Sequence, residues 1–172
     1  DVPVSKQNVR PWNYINWNNA NKNAESMYNT DKMKSDLLTT TQAKIVDYWL
    51  EKAGFNVASD SSTWGNYSNV DKEINGLASS DFGKNYKETS GKFGGNIINA
   101  TGTIEKNKSN NIYDWAGNLW EYTDTPYEQT EYYISHGGYY GTSGNISPAS
   151  FINAFTGDGS SKVGFRICLN IV

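Results

Sequence analysis

Asp114 and Glu121 stand seven residues apart on either side of Gly117-Asn118, within the stretch N-I-Y-D-W-A-G-N-L-W-E-Y-T from Asn111 to Thr123. Glycine takes positive φ without steric cost and asparagine tolerates it better than most residues, so the pair predicts a tight turn. Such a turn would fold the two carboxylates around one cation, with the carbonyls of Gly117 and Leu119 between them. Ca²⁺ accepts a mixed shell of this kind, although it takes roughly 6–8 oxygens and only four are in view here. The same residues also read as a hydrogen-bonded turn in which Asp114 and Glu121 accept from main-chain amides. Ile112, Trp115, Leu119 and Trp120 would set the turn into a core.

The other reactive side chains are few. His136 is the only histidine and Cys168 the only cysteine. One thiol makes neither an internal disulfide nor a thiolate metal cage. Cys168 sits in the alternating apolar run from Val163 to Leu169 and reads as a small buried hydrophobe. His136 precedes Gly137-Gly138 and is expected in a structural hydrogen bond. No nucleophile-elbow sequence supports a Ser-His-Asp triad. The stretch from Tyr139 to Phe155 has a different character, mixing Tyr with Ser, Gly and Asn. Tyr gives rigid amphipathic area and the small polar residues adapt their hydrogen bonds, the mixture found in binding loops. An ordinary strand-loop-strand with buried tyrosines fits the same residues.

Two helices are predicted to position these groups. Asn16 caps a stripe of Trp17, Ala20, Ala24 and Met27. Thr39 to Gln42 has the form of a capping box and precedes Ile45, Val46, Trp49, Leu50 and Ala53, with Gly54 closing the helix. Residues 1–11 read as an extended lead-in. From Asn56 to Asn110 no periodicity is visible, which predicts long loops pinned by single aromatics such as Trp64, Tyr67, Phe82, Tyr86 and Phe93. Thr125 to Glu131 reads as a polar loop, Tyr132 to His136 as a strand, and Val163 to Val172 as the strand that closes the sheet. Asn-x-Ser/Thr sequons stand at Asn66, Asn99, Asn107 and Asn145.

The 172 residues suffice for one domain with one sizeable core. Net charge is −3, and two arginines stand against thirteen lysines. Neither feature suits a nucleic-acid partner. Mean hydropathy is −0.69 yet aromatics are 14%, which predicts a polar, loop-rich surface over an aromatic core rather than disorder. The apolar runs are too short for membrane insertion. Asp1 in place of methionine predicts a processed product or an excised domain with neighbours in a longer chain.

N-I-Y-D-W-A-G-N-L-W-E-Y-T, followed by His136-Gly137-Gly138-Tyr139 and by Gly164-Phe165-Arg166, resembles the sulfatase-modifying-factor family, which contains the formylglycine-generating enzyme and non-enzymatic relatives. That family's pattern runs N-x-Y-D-x-A-G-N-x-W-E-W-T, then R-G-G-S-W, then G-F-R. Trp64-Gly65-Asn66 resembles its W-G-N loop, and the two helices resemble its first two more loosely. The resemblance implies an α+β, C-type-lectin-like fold over residues 1–172, with two helices, a small antiparallel sheet and long loops. It also implies structural calcium at Asp114, Gly117, Leu119 and Glu121, with no other cofactor required.

Departures from the pattern shape the functional expectation. The enzyme depends on a pair of cysteines after R-G-G-S-W; here Tyr140 to Ser147 contains none. The sister activity, iron-dependent oxidation on the same fold, needs a histidine-rich site that one histidine does not supply. The expectation is therefore a non-catalytic binding module on a bacterial cell surface or phage particle, like the variable proteins of diversity-generating retroelements. It would bind a protein or glycan on a target cell through Tyr139, Tyr140, Thr142, Asn145, Phe151 and Asn153. Tyr139 and Tyr140 would point to opposite faces of an extended segment, with Tyr140 exposed. The alternatives are an enzyme site built from Asp114, Glu121 and His136, and a structural domain of a surface fibre.

Overall fold

The computed structural model describes residues 4, 6–128 and 131–172. The start of the lead-in (1–3 and 5) and residues 129–130 of the predicted polar loop lie outside the described residues.

Helix α1 (Trp17–Met27) begins where Asn16 accepts from the Asn19 amide, and it buries Ala20 and Ala24. Helix α2 (Thr40–Lys52) carries the reciprocal capping box of Thr39 and Gln42. Its buried face is Ala43, Asp47 and Leu50. Ile45 and Trp49, expected to face the core, are exposed. The stripe is rotated because Asp47, a charged residue, points inward to partners described below.

The strands form four small sheets. The largest has the order β10 (Val163–Phe165), β7 (Trp120–Pro126), β8 (Tyr132–His136), β9 (Ile152–Thr156). Its pairs are antiparallel except for the parallel pair of β10 with β7. β7 runs on to Pro126, where a loop was expected; a proline at a strand end leaves few ladder bonds unmade. The terminal apolar run is two strands. β10 joins β7, whereas β11 (Ile167–Ile171) pairs antiparallel with β1 (Met33–Leu37). Arg166 is the single residue at the break.

The Asn56 to Asn110 region holds a sheet that the sequence hides. β2 (Lys72–Ser79) pairs along its length with β3 (Lys87–Phe93), and at its end with β4 (Ile98–Asn99). β5 (Lys108–Ser109) and β6 (Ile112–Tyr113) make a short ladder just before the central turn. β2 buries alternate residues, but one of them is Lys72, whose Nζ donates to the Gly95 carbonyl at 3.0 Å. Burial pushes that ammonium down to about 8.

Two clusters make most of the core. One gathers Leu38, Ala43, Leu50, Val57, Trp64, Tyr67 and Trp115 beneath α2. The other gathers Ile15, Ala20, Ala24, Leu37, Trp120, Tyr122 and Val163 beneath α1. The central turn supplies one indole to each.

Candidate functional site

Gly117 (φ +73°) and Asn118 (φ +63°) form the expected turn. A Cβ on Gly117 would lie 2.3 Å from the Asn66 carbonyl oxygen, so the W-G-N loop packs directly on it. Asn118 Oδ1 accepts from Asn66 Nδ2 at 2.8 Å and from the Asn99 amide at 3.0 Å, while its Nδ2 donates to the Asn99 carbonyl at 3.1 Å. Asn66, Asn99 and Asn107 are buried, so three of the four sequons are closed to glycosylation and only Asn145 is exposed.

The turn brings the Glu121 carboxylate and the Asp114 main-chain carbonyl to one cation, Arg166. Its Nε and Nη2 grip the Glu121 carboxylate at 2.8 and 2.7 Å, and Nη2 also donates to the carbonyls of Tyr113 at 3.0 Å and Asp114 at 3.4 Å. A bidentate guanidinium occupies both Glu121 oxygens. The Asp114 carboxylate turns elsewhere and accepts from the Gly102 amide at 3.3 Å. Of the four expected calcium ligands, Asp114, Gly117, Leu119 and Glu121, the two carboxylates are thus engaged with other partners, and among the described residues no three His, Cys, Asp or Glu side chains gather to hold a metal. The sequence reading missed Arg166 because its partner is set by the strand break, forty-five residues away.

Burial raises Asp114 to about 6, against the opposing pull of the Gly102 amide and Arg166. The folded state thus holds this proton more tightly than the unfolded chain. The stability it contributes is full below about pH 4 and is lost as pH rises through about 6. Asp114→Asn keeps an acceptor for Gly102 and suits the residue's φ of +54°. Urea unfolding is expected to show wild type losing stability relative to this variant between about pH 4 and 7, on the order of 2–3 kcal/mol. Parallel pH profiles would contradict the assignment.

His136 is 1% exposed, and its Nε2 lies 2.9 Å from Asp47 Oδ2. Asp47 Oδ1 accepts from the Trp115 indole at 2.9 Å. Glu121 and His136 are register partners on β7 and β8, so Arg166, Glu121, Trp115, His136 and Asp47 form one polar belt under α2. Of the three residues named for an enzyme site, His136 and Glu121 are thus neighbours, and each has a partner, Asp47 for the buried imidazole and Arg166 for the carboxylate. Cys168 lies on β11 with Sγ near the Leu37 carbonyl and Gln42, and burial pushes its thiol up.

The residues directly after Gly137-Gly138 are folded in, and those further on are displayed. Gly137 (φ +100°) and Gly138 (φ +74°) break the extended chain, so the alternation expected for Tyr139 and Tyr140 fails. Tyr140 is only 2% exposed; its amide donates to the Asn118 carbonyl, and its ring packs on Ile98 and Leu119. Tyr139 is half-buried against Trp120. Thr142 is half-buried, and its carbonyl accepts from the Ser68 amide at 2.9 Å. Asn145, Phe151 and Asn153 are exposed.

Of these, Asn153 joins a surface hollow of about 450 Å³ lined by Tyr127, Tyr132, Ile134, Ile152, Asn153 and Ala154. Tyr132, Ile134, Ile152 and Ala154 share one face of β8 and β9. On that face His136 is covered by Asp47 of α2, whereas its register partner on the edge strand, Ile152, is 41% exposed and Tyr132, at the far end of β8, is 44% exposed. The sequence reading missed five of the six lining residues. The available signal was the alternation in both strands, but the register that pairs them was not.

Two helices, a mixed sheet and long connections pinned on a buried Gly-Asn turn define a C-type-lectin-like fold of the formylglycine-generating-enzyme kind. Residues 2–171 match the sulfatase-modifying factor enzyme 1-like domain, and the chain belongs to that family. PvdO from Pseudomonas aeruginosa superposes with a TM-score of 0.60 at 15% identity, over 95% of this chain and 62% of PvdO. CarF superposes at 0.52 with 16% identity, over 81% of this chain and 48% of CarF. Treponema denticola variable protein 1 gives 0.47 with 14% identity, over 81% of this chain and 49% of that protein. The chain thus spans less than two thirds of each of these structures, and at such identities the likeness is one of fold. No curated protein matches the chain.

Proposed function

We propose that the chain is a non-catalytic binding module of this family, displayed on a bacterial cell surface or a phage particle. It binds a protein or glycan on a target cell through the β8–β9 end of its C-terminal region. The observation that carries this reading is the surface hollow of Tyr127, Tyr132, Ile134, Ile152, Asn153 and Ala154, with Phe151, the residue before Ile152, also exposed. An apolar, aromatic patch with a polar rim is the surface that soluble chains keep for a partner. Two further facts favour binding over catalysis. Tyr140 to Ser147 holds no thiol, and the one histidine is buried in the polar belt.

The test is flow cytometry with fluorescent protein on a panel of bacterial and animal cells. The triple variant Phe151→Ala, Ile152→Ser, Asn153→Ala is expected to stay folded and to lose staining of every cell type that wild type stains, with a modest fall in melting temperature, since all three side chains are exposed but the Phe151 ring also touches Trp120. Undiminished staining by the triple variant would place the binding surface elsewhere.

A further inference from the structure

β9 is an edge strand without the usual guards. The sheet has no strand beyond it among the described residues. It reads Ile-Asn-Ala-Phe-Thr, with no charge and no proline, and its register with β8 is unbroken over five pairs. Charges, prolines and bulges are the devices that keep exposed edges from pairing with other chains.

The phase of the ladder is fixed at both ends. Gly137 N–H donates to the Phe151 carbonyl, and Gly157 N–H to the Glu131 carbonyl. β8 therefore takes the main-chain groups of Asn153 and Phe155, and those of Ile152, Ala154 and Thr156 point outward. Two outward groups are met from within: Ala154 N–H donates to Asn153 Oδ1 at 2.9 Å, and the Thr156 carbonyl accepts from the Tyr122 hydroxyl at 3.1 Å. The Asn153 side chain thus stands in for a neighbouring strand at the centre of the edge.

Charge narrows the partner. No Lys or Arg occurs between Lys108 and Lys162. The β7–β8 hairpin, closed by Tyr127 N–H to the Tyr132 carbonyl, carries exposed Glu128 and Glu131 beside the two tyrosines of the hollow.

We propose that the element recognised is an extended peptide segment that adds to the outer edge of β9 as a further strand, seats one apolar side chain in the hollow and sets a Lys or Arg against Glu128 and Glu131. The inference rests on the reading that this end of the molecule is the binding face. Main-chain hydrogen bonds to Ile152, Ala154 and Thr156 hold the segment, and the hollow reads its alternate side chains. Asn153 swings away as the peptide carbonyl replaces it.

The probe is the labelled peptide Lys-Thr-Val-Phe-Val-Thr-Lys, titrated by fluorescence anisotropy and mapped by amide chemical shifts. Binding in the millimolar range or tighter is expected, with shifts centred on Ile152, Ala154 and Thr156. The same peptide with Glu for both Lys, and the Lys peptide methylated at alternate amide nitrogens, should each bind about tenfold more weakly or worse. Ala154→Pro removes an outward N–H that β8 does not use, so the fold should persist and peptide binding should vanish. Absence of binding, equal binding of the methylated peptide, or shifts centred elsewhere would overturn strand addition. These outcomes separate from the cell test: if the triple variant abolishes staining and the peptide result is negative, the face stands and the peptide mode falls.

Discussion

Trp120→Ala is expected to lower the unfolding free energy by about 3–5 kcal/mol, the range for truncating a buried large aromatic. The indole is nearly inaccessible and packs against Phe155 at 5.8 Å, Phe151 at 6.0 Å and Tyr139 at 6.5 Å between ring centroids. It fills the cluster under α1, where Leu37, Tyr122 and Val163 are themselves fully buried. Equilibrium denaturation measures the loss. A change below about 1 kcal/mol, the size of a surface effect, would mean that the turn does not anchor the core.

Arg166→Leu is expected to cost about 3–5 kcal/mol, because it strands the Glu121 carboxylate in a largely buried site and removes the donor to the Tyr113 and Asp114 carbonyls. Arg166→Lys should rescue only part of this, since an ammonium does not reproduce the two-pronged contact with Glu121. The double variant Arg166→Leu, Glu121→Leu should recover a large share, as replacing both members of a buried pair leaves no uncompensated charge. If Arg166→Leu alone proves neutral by denaturation, the polar belt under α2 is not a structural lock.

What the sequence made legible was local chemistry. The caps at Asn16 and Thr39 follow from short-range side-chain to main-chain bonds, and the Gly117-Asn118 turn follows from φ preference. What it hid depended on partners far along the chain. β2 was hidden because its buried positions include Lys72 and Gly76, which break apolar alternation, and β3 because Lys87 to Phe93 is almost wholly polar. Arg166 looked like part of one strand; the change of partner from β7 to β1 at that residue has no local signature. Tyr140 was misplaced for a related reason. Alternation holds only in extended chain, and two glycines of positive φ precede it. Asn66, Asn99 and Asn118, far apart in the chain, form a buried amide network that joins the central turn to the W-G-N loop.

The hollow was the least visible feature, and the reason bears on function. Its walls come from two strands and the hairpin that precedes one of them, so it exists only once β8 and β9 pair in register.

The central claim is that function resides on the exposed β8–β9 edge and not on the buried aromatic and polar groups beside it. The most direct measurement stains the same responsive cells with two proteins, each shown by its melting curve to be folded at the staining temperature. One is the surface triple variant Phe151→Ala, Ile152→Ser, Asn153→Ala, and the other is Tyr140→Phe, which keeps the buried ring and removes only its hydroxyl. Loss of staining with the first and retention with the second is the predicted result; retention with the first and loss with the second would contradict it.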